Sequence, residues 1–273
     1  MVTFPNAKIN IGLNITSRRN DGYHNIETIM VPIPWCDVLE IVPAQSNKTT
    51  LTTYGREVKC EMEKNLVVKA YRAMETLYNL PPVDIYLHKI IPDGAGLGGG
   101  SADAAYTIKT LNDLFELGVS DDELAKIAAK IGADCPFFIY NTPTFAHGIG
   151  TDFSPINIDL SGYQILVVKP QVSVPTAQAY AGVTPSTPDT PLTQLIKLPI
   201  EQWQSTIKND FENSIFPIHP IVAQIKQQII ELGAEYSSMS GSGSAVYGIF
   251  KSDKLSENNI PTFNQCDIFL GKL

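Results

Sequence analysis

Cysteine and histidine are scarce in this 273-residue chain, with four of each, and neither type clusters. The cysteines stand at positions 36, 60, 135 and 266, without a Cys-x-x-Cys pair and without a histidine at ligand spacing. We therefore expect neither a disulfide framework nor a zinc site, and we place the chain in the reducing cytoplasm.

Basic charge and long apolar runs are also lacking. Twenty Lys and Arg against 28 Asp and Glu give a net charge of −8 and a pI of about 5.0. Such a chain has no overall electrostatic attraction for nucleic acid or for an anionic membrane surface. It also lacks an apolar run of about eighteen residues and the basic-then-apolar order of a signal peptide. We expect a protein that binds neither nucleic acid nor membrane.

Apolar residues make up 44% of the chain, enough to fill one large core or two modest ones. Alternating apolar residues over 9–15 predict a half-buried strand, and helical spacing over 65–78 predicts a helix. A strand is predicted at 84–90, and Ser120 with Glu123 predicts a capping box at a later helix. Strands and helices alternate irregularly, which favours the α+β class.

The second half continues this mixture. Residues 163–170 read as a buried strand, and the Pro/Thr-rich segment 183–193 predicts an exposed connection. Apolar residues at helical spacing predict a helix over 221–232, which Gly233 ends.

The segment PDGAGLGGGSADAA, residues 92–105, places five glycines in seven positions between a predicted strand and a predicted helix. Glycine lets a ligand approach the backbone closely, and a helix start presents unpaired amides with partial positive charge. Together these features predict a phosphate site. Ser101 is placed either to cap the helix or to contact a phosphate-bound magnesium ion.

Two familiar phosphate loops do not fit. A P-loop ends in Gly-Lys-Ser/Thr, whereas Ser101 follows Gly100 without a lysine. Gly94, Gly96 and Gly99 match the dinucleotide pattern, but no strand ending in an acidic residue follows about 20 positions later. We interpret the dinucleotide match as accidental.

The glycine loop closely resembles the phosphate-binding loop of the GHMP small-molecule kinases. Further segments occur in the order of one member of that superfamily, which uses ATP to phosphorylate a cytidine diphosphate-linked polyol in isoprenoid synthesis. They are NAKINIGLNI, RRNDGYHNIET, GADCPFFI, VKPQVSVPTAQAY, NDFE and SMSGSGSAVYGIF. The resemblance implies a GHMP kinase-like α+β fold of two domains, 1–155 with the glycine loop and 156–273, with the active site in the cleft between them.

The resemblance also implies a catalytic pair, Lys8 and Asp134. Asp134 would accept or orient the proton of the acceptor hydroxyl, and Lys8 would lower the pKa of the pair and stabilise the transferring group. Taken alone, each residue would be expected to be an ordinary solvated charge. We assign no catalytic role to Asp210 or Glu212.

ATP, with Mg²⁺, is the co-substrate that the resemblance implies, and Ser101 is the candidate magnesium contact. The implied ATP-binding residues are Pro92, Asp93, Gly94, Ala95, Gly96, Leu97, Gly98, Gly99, Gly100, Ser101, Ala102, Asn65 and Leu66. The other partners would be the small-molecule acceptor and, at most, a second copy of the chain, because the sequence allows a monomer or a homodimer.

The acceptor site implied by the resemblance combines polar and aromatic residues. Asn10 would bind the polyol, Tyr23 would stack on the cytosine and His24 would hydrogen-bond to it. Tyr180 would cover the opposite face of the base. The segment SGSGS at 240–244 would close around the substrate phosphates, or would be only a turn that leads into a strand.

Some positions depart from the family pattern. Asn6 stands where proline is usual, and Ala102 where serine is common. His147 and Thr151 stand where the family tends to have Arg and Glu, so no role is assigned to that segment.

Other functions stay open at this point. They are a GHMP kinase for another small alcohol, such as mevalonate or homoserine, a non-catalytic nucleotide-binding protein, and a nicotinamide-dependent oxidoreductase. The DGYH segment and Tyr180 favour a nucleotide-bearing acceptor, and the presence of both Lys8 and Asp134 favours catalysis.

Overall fold

The computed structural model describes residues 1–58 and 60–273. Its strands are β1 (Val2–Thr3), β2 (Asn6–Arg18), β3 (His24–Cys36), β4 (Val38–Pro43), β5 (Thr50–Gly55), β6 (Val83–Lys89), β7 (Thr144–His147), β8 (Asp152–Pro155), β9 (Tyr163–Pro170), β10 (Tyr236–Met239), β11 (Val246–Lys251) and β12 (Cys266–Lys272). Its helices are α1 (Leu66–Tyr78), α2 (Gly99–Leu114), α3 (Asp121–Ala129), α4 (Cys135–Tyr140), α5 (Thr176–Ala181), α6 (Leu192–Leu195), α7 (Trp203–Thr206), α8 (Phe211–Ile215) and α9 (Pro220–Glu231). This mixture confirms the α+β prediction.

The first compact unit consists of residues 1–7, 35–93 and 98–142. Its sheet has the strand order β1-β4-β6-β5, with β4 antiparallel and β5 parallel to β6. Helix α2 packs against α1 and β4. The unit therefore places the helix that follows the glycine loop directly on this sheet.

The second compact unit consists of residues 8–34, 94–97 and 143–273. Most of the sheet β2-β3-β7-β8 belongs to it, together with the antiparallel sheet β10-β11-β9-β12. Helix α9 packs on β10 and β11 through Val222, Ile225 and Ile229. Gly233 adopts a φ of +87° just after the helix, in agreement with the predicted stop.

Several predicted elements are confirmed. Helix α1 begins after Asn65, whose side chain accepts a hydrogen bond of 2.9 Å from the Val67 amide. Strands β6 and β9 lie within one residue of the predicted positions. Of the predicted connection 183–193, residues 183–191 form neither strand nor helix, whereas α6 already begins at Leu192. The proposed domain boundary between 155 and 156 stays a prediction.

Two expectations were wrong. Strand β2 is buried on both faces from Asn6 to Leu13, because its polar side chains are enclosed in hydrogen bonds rather than solvated. The capping box does not form, since Ser120 precedes α3 without a side-chain capping bond. The acidic first turn, Asp121 to Glu123, supplies the negative charge that a helix start favours.

The four cysteines are free thiols. In the part of the chain that the structure describes, no helix is long and apolar enough to cross a membrane.

Candidate active site

The glycine loop leads into α2 through Gly98, which occupies the N-cap position with a φ of 72°. The first backbone hydrogen bond of the helix joins the Ala102 amide to the Gly98 carbonyl at 2.9 Å. The backbone N–H groups of Gly99, Gly100 and Ser101 therefore come before the first hydrogen bond of the helix, and they can bind an anion. Ser101 does not cap the helix, because the cap lies three residues earlier, and this alternative was wrong.

Four of the predicted ATP residues line one cavity of the first unit. The cavity has a volume of about 180 Å³, and Asn65, Leu66, Asp93 and Gly100 all contribute to its wall. Lys64 adds a positive charge at the same wall. The structure thus brings the start of α1 and the start of α2 together around a space that a ligand can enter.

A buried charged cluster, formed by Lys89, Asp37 and Asp103, lies beside this cavity. Lys89 Nζ donates to Asp103 Oδ2 at 2.7 Å and also to Asp37 Oδ2. Asp37 Oδ1 accepts the amides of Ile90 and Ile91. The cluster therefore ties the strand before the glycine loop to the helix after it.

Burial raises the pKa of Asp103 to about 8, although the Lys89 ammonium opposes the shift and Asp37 adds to it. A protonated Asp103 carries no negative charge, so its burial beside Lys89 costs less than burial of a second ionised carboxylate would. This cluster was not predicted from the sequence. Its only signals were a lysine shortly before the glycines and an aspartate shortly after them.

Lys8, in the second unit, is 3% exposed and held at its ammonium group. Its Nζ donates to Asn10 Oδ1 at 2.5 Å and to the Gly96 carbonyl at 2.9 Å. Asn10 Nδ2 in turn donates to Thr28 Oγ1 at 3.0 Å. The predicted residues Lys8, Asn10 and Gly96 therefore meet, with a positive charge fixed at the glycine loop.

The segment 240–244 connects β10 to β11, as the turn alternative predicted, and it also packs on residues 94–97. Ser240 Oγ donates to the Gly96 carbonyl at 2.8 Å, and the Ala245 amide donates to the Ala95 carbonyl at 3.1 Å. A Cβ atom at Gly96 would lie 1.9 Å from the Ser240 carbonyl oxygen, so only glycine fits there. A contact of this segment with substrate phosphates stays a prediction.

Side chains of the NDFE motif, residues 209–212, hold the turn and a neighbouring strand in place. Asn209 Nδ2 donates to the carbonyls of Met239 and Gly241 at 2.7 and 2.8 Å. Glu212 Oε1 accepts the Met239 amide at 2.8 Å, and Asp210 Oδ2 accepts the Ile15 amide at 2.7 Å. These side chains bind backbone groups, and sequence reasoning gave Asn209 no such role.

Three of the four predicted acceptor residues, Tyr23, His24 and Tyr180, line a second cavity, which lies in the second unit and which we call the aromatic cleft. Asn10 is not part of its wall. The volume of the cleft is about 540 Å³, and its wall includes Arg18, Tyr23, His24, Ile149 and Tyr180. The rings of His24 and Tyr180 are stacked, with centroids 4.8 Å apart and an interplanar angle of 17°. Tyr23 is 63% exposed. The cleft thus offers a stacked pair and an open tyrosine to a flat ligand.

Asp134 lies in the first unit, immediately before α4, and makes no side-chain capping bond to that helix. Helix α4 was not predicted from the sequence, although Pro136 in its first turn is a helix-start signal.

His147, which departs from the family pattern, ends β7, where its ring stacks on Phe145 with centroids 5.5 Å apart. Thr151 lies in the turn that follows.

Two protein-family models match this chain. Residues 65–142 match the model of the GHMP kinases N terminal domain, and residues 194–258 match that of GHMP kinases C terminal. The chain is 52% identical to the 4-diphosphocytidyl-2-C-methyl-D-erythritol kinase of Parabacteroides distasonis over all of both chains. It is also 52% identical to the enzyme of the same name from Bacteroides fragilis, over 93% of each chain.

Solved structures agree. A crystal structure of a 4-(cytidine 5'-diphospho)-2C-methyl-D-erythritol kinase matches with a TM-score of 0.76 and 32% identity, over 91% of this chain and 89% of that one. The mevalonate kinase of Methanococcus jannaschii, at 15% identity and a TM-score of 0.72 over 100% and 98% of the two chains, shares the fold. The chain therefore belongs to the GHMP kinases and, within them, to the family of the 4-diphosphocytidyl-2-C-methyl-D-erythritol kinases.

Proposed function

We propose that this chain transfers the γ-phosphoryl group of ATP to the 2-hydroxyl of 4-diphosphocytidyl-2-C-methyl-D-erythritol. The reaction is a step of the non-mevalonate route to isoprenoid precursors. The observation that carries the proposal is the 52% identity along the whole length of a relative with that name. Phosphoryl transfer requires aligned reactants and neutralised charge, and the residues described above can supply both.

The phosphates of ATP would bind the free amides at the start of α2, in the first unit. The adenine would occupy the cavity of about 180 Å³ beside Asn65 and Leu66. Magnesium prefers water and phosphate oxygens with one or two protein ligands, so it would arrive with ATP. Ser101, in the first turn of α2, is the proposed hydroxyl contact. Among the described residues, no group of three His, Cys, Asp or Glu forms a separate metal site.

The acceptor would place its cytosine in the aromatic cleft. Tyr23, His24 and Tyr180 supply ring surfaces there, and His24 also supplies hydrogen-bonding nitrogens. Asn10, whose amide is already fixed by Thr28, would bind the polyol.

For the chemical step we assign Asp134 as the group that accepts or orients the hydroxyl proton. Lys8 would stabilise negative charge on the transferring phosphoryl group. Its ammonium is already held by Asn10 and Gly96, so its position needs no reorganisation when charge develops. Cytoplasmic location and a monomeric or homodimeric state complete the proposal.

A coupled assay of ADP release tests the proposed function. The purified protein should release ADP with 4-diphosphocytidyl-2-C-methyl-D-erythritol and should be nearly inactive with mevalonate and homoserine. Release with either of those two alcohols, and none with the cytidine-linked acceptor, would replace the proposed acceptor.

Gly100→Ala is a clean test of the ATP site. A Cβ at Gly100 would lie 3.5 Å from Leu66 Cδ1, an ordinary contact, whereas one at Gly99 would lie 2.9 Å from Ile91 Cγ2 and disturb packing. Alanine also favours a helix over glycine by about 0.5–1 kcal/mol. We expect Gly100→Ala to keep the parental melting temperature or exceed it, and to raise KM for ATP about tenfold, equivalent to 1.4 kcal/mol.

The acceptor KM serves as the internal control, because Gly100 lies at the proposed nucleotide cavity. An unchanged KM for ATP in the folded Gly100→Ala variant would show that the phosphates bind elsewhere.

A further inference from the structure

Arg18, the last residue of β2, and Arg19, which follows it, have different surroundings. Arg19 donates from Nε to both carboxylate oxygens of Asp21, at 3.2 and 3.0 Å, and from a terminal nitrogen to Asn25 at 3.3 Å. Arg18 lines the aromatic cleft, and no carboxylate among the described residues forms an ion pair with it. Of these two arginines, it is therefore Arg18 whose guanidinium group is available for an anionic ligand.

The cleft around Arg18 has the composition of a site for an aromatic anion. The stacked His24 and Tyr180 rings provide a flat surface, while Ile149 and Val183 provide apolar wall. Arg18 adds a permanent positive charge, in a chain whose net charge is −8 and therefore repels anions at long range. A local cation is needed if this cleft is to hold phosphate groups.

Guanidinium is also the side-chain cation best suited to a diphosphate. Its planar set of donors forms two parallel hydrogen bonds to neighbouring oxygens in a fixed geometry, whereas a lysine ammonium acts as a point charge. The acceptor of the proposed reaction contains two phosphate groups next to its cytidine.

We propose that Arg18 determines acceptor specificity by binding the diphosphate of the acceptor, while the aromatic residues of the cleft hold the base. The inference rests on the proposed function, because the diphosphate belongs to the acceptor named there. Arg18 would favour phosphorylated cytidine compounds over alcohols without phosphate.

The test compares cytidine with cytidine diphosphate as ligands of the parent, Arg18→Gln and Arg18→Lys. Calorimetric titrations are made with a non-hydrolysable ATP analogue at saturation, so that the nucleotide cavity is filled. Lys48→Gln, at an exposed site of the first unit, is the control for loss of one positive charge.

Arg18→Gln should raise the Kd for cytidine diphosphate and the KM for the acceptor about tenfold, since charge-assisted hydrogen bonds are lost. The Kd for cytidine, the kcat and the KM for ATP should stay within about twofold of the parent, a shift of about 0.4 kcal/mol. Arg18→Lys should recover part of the loss, and Lys48→Gln should match the parent.

Equal weakening of cytidine and cytidine diphosphate, or no weakening of either, overturns the role of Arg18 and leaves the proposed function standing. If the parent protein neither binds cytidine diphosphate nor phosphorylates the acceptor, the proposed function is wrong, and the role of Arg18 is wrong with it.

Discussion

Replacing Asp134 with Asn is expected to lower kcat by about 10²–10⁴-fold, the usual contribution of general acid–base assistance. Asparagine keeps the size of the side chain and removes the charge. Asp134 makes no side-chain capping bond to α4, so the substitution removes no hydrogen bond of that kind, and the melting temperature reports any other effect on folding. The measurements are kcat, the KM values of ATP and acceptor, and the melting temperature.

The double variant with Lys8→Met extends this test. If the two residues act as one unit, the combined loss of kcat should be far smaller than the product of the two single losses. A parental kcat in folded Asp134→Asn would remove the carboxylate from the proton transfer. If the loss of kcat in the double variant instead equals the product of the two single losses, the two residues act independently.

Replacing Lys89 with Met is expected to lower the free energy of unfolding by about 3–5 kcal/mol. The reason is that Asp37 and Asp103, both nearly inaccessible to solvent, would lose the cation between them. Chemical denaturation at neutral pH measures the loss. A Lys89→Met variant as stable as the parent would show that the cluster does not hold β6 to α2.

Asp103→Asn is the matched control. At about pH 4, where a neutral amide replaces a protonated carboxyl in the folded protein, we expect it to change the stability by about 1 kcal/mol or less, because Lys89 keeps Asp37 as its partner. It should also change the pH dependence. In the parent, burial raises the pKa of the folded Asp103 to about 8, whereas the unfolded carboxyl loses its proton near the ordinary aspartate pKa of 3.8. Stability attributable to Asp103 therefore falls as the pH rises from about 4 to about 8, and Asp103→Asn should remove this fall.

The sequence was sufficient to predict the elements whose own residues supply a helix cap or a regular spacing of apolar side chains. Helix α1 begins at the predicted place because Asn65 caps it, and the glycine loop leads into α2 as its composition indicated. The resemblance selected three residues that share the aromatic cleft, Tyr23, His24 and Tyr180, although Tyr23 and Tyr180 are 157 positions apart in the sequence.

Contacts between distant segments were beyond sequence reasoning. The side chains of Lys89 and Asp37 meet across 52 positions, and nothing in either local context indicates a buried pair. Strand β2 looked half-solvated because its polar residues alternate. The backbone N–H of Asn10 in fact donates to Ser240 Oγ, 230 positions away, and burial there follows from the turn between β10 and β11.

The most direct test of the account is the identity of the reaction product. The protein is incubated with ATP, magnesium and 4-diphosphocytidyl-2-C-methyl-D-erythritol, and the mixture is followed by phosphorus NMR. We predict a new phosphomonoester resonance that grows in equal amount with ADP while the diphosphate resonances of the acceptor persist. ADP that forms together with inorganic phosphate, without any phosphomonoester, would contradict phosphoryl transfer to this acceptor.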